Sequence, residues 1–576
     1  TVSLPFIDDF SEFFNKKFDS NFYWPNPERW TDRSAFVNDN LALDPMSVGV
    51  VTFDGVNHLG QPYNWLASNT AAPADTLTSV PLDLSTSNDV ILSFYYQAGG
   101  YSTYEPEEGD SLVVELKDTA DNWIHAWSTP GGVADGEFHR VMLPIAGGDL
   151  LYNGFQFRFR NYASVHTNGD FWHVDYIELD GGRSMNDTLT NDVALLGRGH
   201  SLLSEYSAIP WKHFKTDPSG LMGGNLYFRV RNGLNENQLV HHRFEVRDSN
   251  DDMVFGSAGP NSGTIFPLTA CGNLLNDCNV NVDDFQNQIS GTYSTNVELS
   301  YDSAYFTVSN LLDSLPDHRF NDTTVYVQEF YNYYAYDDGT AEVAFGLGNI
   351  SQPGEVVVRY DIKLIDTLQA LQIYFNPVKW DLTQEPFRIV IWSGVQEPTT
   401  LIYESPDIIP EYSIQNDYHH YLIDTLLTLE GSVFIGWKQQ PNEDLTYTVG
   451  YDLHNDNSAN RYYNIGQDWV QSSIPGSVMI RPVFGREYFY DPNSIEEQTI
   501  ASISLYPNPV NDILNLSTGQ FQTDDRITIL DMTGRVVKYL PASDRFEVSD
   551  LHQGVYIIRI EDKVGTPRSL GRFVKQ

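Results

Sequence analysis

The chain reads as an all-β protein built of several β-sandwiches, and three observations carry that expectation. Short apolar runs separated by Gly, Pro, Asn and Asp recur along it, among them "VILSFYYQAG", "DSLVVELKD", "FQFRFRNY" and "FWHVDYIELD". The runs alternate with period two. In "FQFRFRNY", Phe155, Phe157 and Phe159 alternate with Gln156, Arg158 and Arg160, which sends one face to a core and the other to water. The composition, with 34 Tyr, 32 Phe and 42 Gly, suits strands and turns. Long amphipathic helices are nearly absent, so stacked sheets are the expected architecture.

A chain of 576 residues exceeds one ordinary core, so roughly three to four domains are expected. Residues 1–182 close with "FWHVDYIEL" and the breaker Gly181–Gly182. Residues 183–330 contain "NLYFRVRN", "HHRFEVRD" and "TNVELSYDS", the rhythm of an immunoglobulin-like sandwich. Residues 331–488, from "YNYYAYDDGTAE" to "VMIRPVFG", read as a second jelly-roll-like sandwich. A linker at 489–500 then leads to a small terminal domain at 501–576.

The formal net charge of -43 at pH 7 repels nucleic-acid phosphates and anionic lipid, so neither is an expected partner. Residues 501–576 hold nine Lys/Arg and nine Asp/Glu, so all the excess negative charge lies in residues 1–500. The tail has a different character and a different job. No run of about 18 apolar residues exists, so no transmembrane helix is expected. A start at Thr1 is read as that of a mature exported protein whose signal peptide has been removed. In such a protein Cys271 and Cys278, in "CGNLLNDC", are expected to form a local disulfide. A zinc site would need two further ligands at the usual spacing.

The tail opens with "SLYPNPVNDILNL", Ser504 to Leu516. Pro507 and Pro509 fix φ and remove two backbone donors, and Asn508 is pushed to extended geometry. One strand therefore ends at Tyr506 and another begins with "DILNLS". Further on, "DMTGR" supplies a hairpin turn with Gly534 available for positive φ. In "GVYIIRI", after Gly554, Tyr556, Ile558 and Ile560 form one face.

This ordered set resembles the type A C-terminal sorting domain of the Bacteroidota type IX secretion system. The matching pieces are "YPNPVNDILNL", "ITILDMTGRVV", "LHQGVYIIRI" and the closing "GRFVKQ", which carries Arg572 and Lys575. Arg572 stands where the family often has Lys, and keeps the positive charge. The resemblance implies export across the outer membrane to the cell surface or the medium. It also implies three partners: the translocon, its outer-membrane shuttle protein, and a sortase-like peptidase that cuts near the linker. In residues 1–182, the series "ADTLTSVPLDLS", "ILSFYY", "GDSLVVELKD", "FQFRFRN" and "GDFWHVDYIEL" resembles jelly-roll modules related to MAM and choice-of-anchor domains.

No H-E-x-x-H, G-x-S-x-G or P-loop is present, so no catalytic residue is assigned. The expected role is a non-catalytic adhesin or a binder of surface glycan or protein. The alternatives are an accessory docked on the secretion or gliding machinery through a retained sorting domain, and a divergent polymer hydrolase. Tyr101, Tyr104 and Glu105, in "AGGYSTYEPEEGD", are the candidate ligand loop: aromatic faces stack on sugar C–H surfaces and carboxylates accept from hydroxyls. The alternative there is a long solvated acidic loop. No cofactor is required, but jelly-roll modules often carry a structural calcium between their first and last strands. Asp8, Asp9 and Asp175 are its candidate ligands, with exposed strand-end acids as the alternative.

Overall fold

A computed structural model describes residues 1–15, 24–67, 70–102, 104–199, 201–223, 229–248, 251–256, 261–265, 270–272, 304–313, 320–378, 380–441, 445–466, 468–485, 501–502, 504–517, 526–531, 536–541, 543, 545–549, 551–561 and 567–575. Cys278, and with it the expected disulfide, lies outside the described residues, as do Gly534 and the linker 489–500. The all-β expectation holds. Among the described residues the only α-helices are two single turns, Trp211–Phe214 and Pro218–Leu221. The chain forms two compact units, Thr1–Tyr488 and Phe489–Gln576.

The first unit begins with a sandwich. Its six-stranded sheet is centred on Val90–Ala98 and Trp172–Asp180, with Phe6–Asp8 added on the latter. The facing four-stranded sheet runs Ala71–Thr78, Phe157–Ser164, Ser111–Lys117, Trp123–Pro130. The period-two pattern explains why: Phe155, Phe157 and Phe159 are fully buried, and Phe159 meets Phe94 edge-on at 4.9 Å. On the outer face, Arg158 pairs with Glu115, directly opposite on the neighbouring strand, at 2.6 Å.

A five-stranded sheet of the middle region ends in the strand Thr323–Phe330. Next comes a seven-stranded sheet built on the long antiparallel pair Gly354–Ile373 and His419–Gln439. The pair approaches closely at Gly436, where a Cβ would sit 1.8 Å from the Val356 carbonyl oxygen, so glycine is required. One continuous apolar cluster runs from Leu202, Trp211 and Phe214 through Phe330 to Tyr334, Val356 and Trp437. Polar ties cross between regions as well. Asn321 Nδ2 donates to Asp9 Oδ2 at 2.9 Å and to Asp192 Oδ2 at 2.7 Å. Asn168 Nδ2 donates to Asn376 Oδ1 at 3.1 Å.

The second unit is a small sandwich. A five-stranded sheet, in the order Ala501–Ser502, Pro567–Lys575, Gly554–Glu561, Arg526–Asp531, Val536–Pro541, faces the three strands Ser504–Tyr506, Ile513–Ser517 and Arg545–Glu547. Tyr556, Ile558 and Ile560 point into its core with Leu514, Ile527 and Phe573, as the alternation in "GVYIIRI" requires.

Candidate functional site

A cavity of about 640 Å³ opens in the first unit where three stretches of chain converge, a volume in the range of ligand pockets. Asp39 and Asn40 line it from the turn after the strand Phe36–Asn38. Gly197, Arg198, Gly199, Ser201, Ser207 and Ala208, with the strand Thr323–Phe330, form a second wall. The third comprises Tyr333, Asp337, Asp338, the loop 414–418, His454, Asn455 and Arg481.

Arg481 and Asp337 organise that third wall. The Arg481 Nη2 donates to Asp337 Oδ1 at 2.5 Å, and its Nε to the same oxygen at 3.1 Å. The guanidinium carbon lies 4.3 Å from the Tyr418 ring centre and 5.1 Å from that of Tyr333. Tyr418 donates its hydroxyl to Asp337 Oδ1 at 2.5 Å, and Gly339 N–H joins at 3.0 Å. Asp337 is fully buried. Burial alone would lower the Arg481 value; Asp337, Tyr418 and Tyr333 outweigh it and hold the guanidinium firmly charged.

Across the cavity Arg198 grips Asp39 with two bonds, Nε to Oδ2 at 2.8 Å and Nη2 to Oδ1 at 2.9 Å. Asn40 Nδ2 donates to Glu342 Oε1 at 2.6 Å, and His454 Nε2 lies 3.0 Å from the Asn40 carbonyl. Glu342 and Asp452 stand behind the lining. Burial, reinforced by Asp338, pushes both carboxyls well above their ordinary range. Their oxygens accept from Asn40, Leu453 N–H, His454 N–H and Asn455, so they brace the wall rather than face the space.

The expected ligand loop divides. Tyr101 is half-buried, edge-on to the His454 ring at 4.7 Å, and so packs against the cavity rim from outside. Tyr104 and Glu105 are exposed, and neither lines the cavity. Asp8, Asp9 and Asp175 are all buried, not exposed strand-end acids. Asp8 accepts from Phe10 N–H at 3.0 Å and Trp30 Nε1–H at 2.6 Å. Asp9 accepts from Ser11 and Asn321, and Asp175 from the Met46, Ser47 and Tyr176 N–H groups. Both oxygens of each carboxyl group therefore accept from protein donors. Among the described residues no group of three or more His, Cys, Asp or Glu is placed to hold a metal ion. In the sequence, the lone Arg in the apolar run "VMIRPVFG" is the signal that points to Arg481.

In the second unit the prolines do what their chemistry dictates, ending Ser504–Tyr506 before Ile513–Ser517 pairs back on it. Asn508 has its own task. Its Nδ2 donates to the Arg572 carbonyl at 2.9 Å, and its Oδ1 accepts from Val574 N–H at 2.9 Å. A side-chain amide thus pins the final strand, on which Arg572 is exposed and Lys575 is buried. Tyr506 is exposed beside it. Removing the amide with Asn508→Ala is expected to cost the second unit about 1–2 kcal/mol. Calorimetry should show its transition fall while that of the first unit stays put; a shift in the first unit alone would overturn this.

These features match a known family. Residues 504–570 match the model of the secretion system C-terminal sorting domain. The sorting domain directs export by the type IX system, across the outer membrane to the cell surface or extracellular space. Among the described residues no helix is long and apolar enough to cross a membrane. No curated protein matches the chain. Similar solved structures include CBM27-1 of Caldicellulosiruptor saccharolyticus in complex with mannohexaose. That likeness has 11% identity and a TM-score of 0.21 and covers 31% of this chain and 99% of that one. A glycosyl hydrolase family 2 member from Bacteroides cellulosilyticus has 9% identity and a TM-score of 0.20, covering 52% of this chain and 36% of that one. The Bacteroides uniformis β-glucuronidase has 9% identity and a TM-score of 0.18, covering 46% and 27%.

Proposed function

We propose that this exported protein is a non-catalytic surface binder of hydroxyl-rich ligands, glycans foremost, and that the cavity is its binding site. The observation that carries this is the lining itself: a charged Arg481–Asp337 pair held between two tyrosine rings, in a space rimmed by carboxylates and amides. Carboxylate and amide oxygens accept from sugar hydroxyls, and tyrosine faces meet sugar C–H groups. The translocon, shuttle protein and sortase-like peptidase act on the sorting domain, while the first unit does the binding.

A glycan array probed with the full chain tests this. Tyr418→Ala is expected to weaken the bound glycan by roughly tenfold or more, because it removes both a ring face and a brace on Asp337. Tyr104→Ala is expected to leave binding unchanged, since Tyr104 is outside the lining. The opposite pattern would move the site to the 98–110 loop; no binding to any glycan would sink the proposal.

A further inference from the structure

One sheet face runs against the charge of the whole chain. The strands Ala71–Thr78, Phe157–Ser164, Ser111–Lys117 and Trp123–Pro130 hold three bases, Lys117, Arg158 and Arg160, against two acids, Asp75 and Glu115, in a protein of net charge -43. Asp75 is buried. The alternation that sends Phe157 and Phe159 to the core turns Arg158, Arg160 and Tyr162 outward. Glu115 stands opposite Arg158 on the next strand, and Trp123 stands opposite Lys117 on the strand beyond. Lys117 Nζ is met by Asp121 Oδ1 at 2.9 Å. That leaves two arginines facing the single carboxylate of Glu115.

The donors of those arginines are accessible and largely unused. Arg158 gives its Nε to Glu115 Oε2 at 2.6 Å, and its guanidinium carbon lies 4.2 Å from the Trp123 ring centre. Arg160 stands 5.4 Å from the Tyr162 ring centre, and its Nη1 comes no nearer to Glu115 Oε2 than 3.6 Å, too far for a hydrogen bond. Among the described residues no protein acceptor takes a hydrogen bond from Arg160 or from either Nη of Arg158. The two side chains keep 21% and 22% of their surface exposed. The cavity arginines differ: Arg198 and Arg481 each hold a carboxylate with two bonds.

We propose that this sheet face is a second binding site, separate from the cavity, and that it takes an acidic polysaccharide, a chain of hexuronates. A planar guanidinium fork matches a carboxylate with two parallel bonds. Arg158 and Arg160 lie two residues apart on one strand, about 7 Å, so they meet successive anionic groups of an extended polymer. Trp123 and Tyr162 flank them with apolar surface for sugar C–H groups. At physiological salt, charges beyond about 8 Å are screened, so at contact these two arginines count and the distant acids do not. Nucleic acid and anionic membranes carry dense charge over a wider span and meet the acidic remainder of the surface.

Titration calorimetry of the full chain with oligomers of galacturonate, glucuronate and mannuronate, each beside its methyl ester, decides it. At least one free acid should bind, and its ester, which keeps the shape and loses the charge, should bind roughly tenfold or more weakly. Arg160→Gln should cost a similar factor with an unchanged melting midpoint, because Arg160 makes no hydrogen bond to the protein. Glu115→Gln should strengthen binding several-fold, a gain that damage to the fold does not mimic. Added salt should weaken binding, and Tyr418→Ala should leave it unchanged. Equal affinity for acid and ester, or no binding of any uronate, would overturn this inference and leave the cavity reading standing. Loss of uronate binding in Tyr418→Ala with none in Arg160→Gln would move the anion into the cavity and overturn it too. Oligothymidylate bound as tightly through Arg160 would overturn the choice of a saccharide.

Discussion

Replacing Arg481 with methionine is expected to destabilise the first unit by about 3–5 kcal/mol and to abolish ligand binding. The reason is what it leaves behind. Asp337 is fully buried, and three of its donors, Arg481 Nε, Arg481 Nη2 and the Tyr418 hydroxyl, converge on one oxygen. Without the guanidinium an ionised carboxylate would be stranded beside two tyrosine rings that had faced a cation. The double change Asp337→Asn with Arg481→Met is expected to recover most of the loss. Removing both charges of a buried pair costs far less than removing one. Chemical denaturation of the three variants gives the coupling directly. A single change costing under about 1 kcal/mol would show that the pair behaves as a surface ion pair does.

That pair shows where reading a sequence stops. Local features were legible because their physics is local. Phe155, Phe157 and Phe159 alternate with charged and polar neighbours, and only a strand with one buried face explains the pattern. "YPNP" was legible as a strand end, since two prolines remove two donors whatever surrounds them. The Asn508 amide was not. Its partners, Arg572 and Val574, lie more than sixty residues away and meet it only once the sandwich closes. The cavity is the extreme case. Asp39, Arg198, Asp337 and Arg481 are unremarkable charges in a chain with 77 acids and 34 bases, and their pairing depends on how three regions pack. Tyr101 shows the reverse error of scale. Its loop composition suggested a solvent-facing ring, and packing against His454 settled its environment instead.

The same packing predicts an inverted pH response. Burial pushes the carboxyls of Asp8, Asp75 and Asp170 up to about 7, and in Asp170 the neighbouring Asp110 adds to it. Asp54 and Asp175 are pushed up in the same direction, again chiefly by burial. An acid held above its ordinary value keeps its proton in the folded state where the unfolded chain has already released it. Folding therefore binds protons between about pH 4 and pH 7, and stability falls as pH rises through that window. The melting midpoint of the first unit is expected to be higher near pH 5 than near pH 8, by roughly 5 °C or more. Below about pH 4 it should fall again. There Asp366, which burial alone would raise but which His213 and Lys212 hold below its ordinary value, loses its charge. Asp170→Asn isolates the effect. Asp170 has φ 56, a conformation asparagine tolerates, and its Oδ2 contact with Ser164 N–H at 2.8 Å can be kept by an amide oxygen. This variant is expected to be more stable than the parent near pH 8 and to show a flatter pH profile. Calcium is expected to leave the midpoint unchanged, because among the described residues no group of three or more His, Cys, Asp or Glu is placed to hold a metal ion. A calcium-dependent rise near pH 8, lost on chelation, would mean that these carboxylates are held ionised by a cation and would reverse the sign of their contribution.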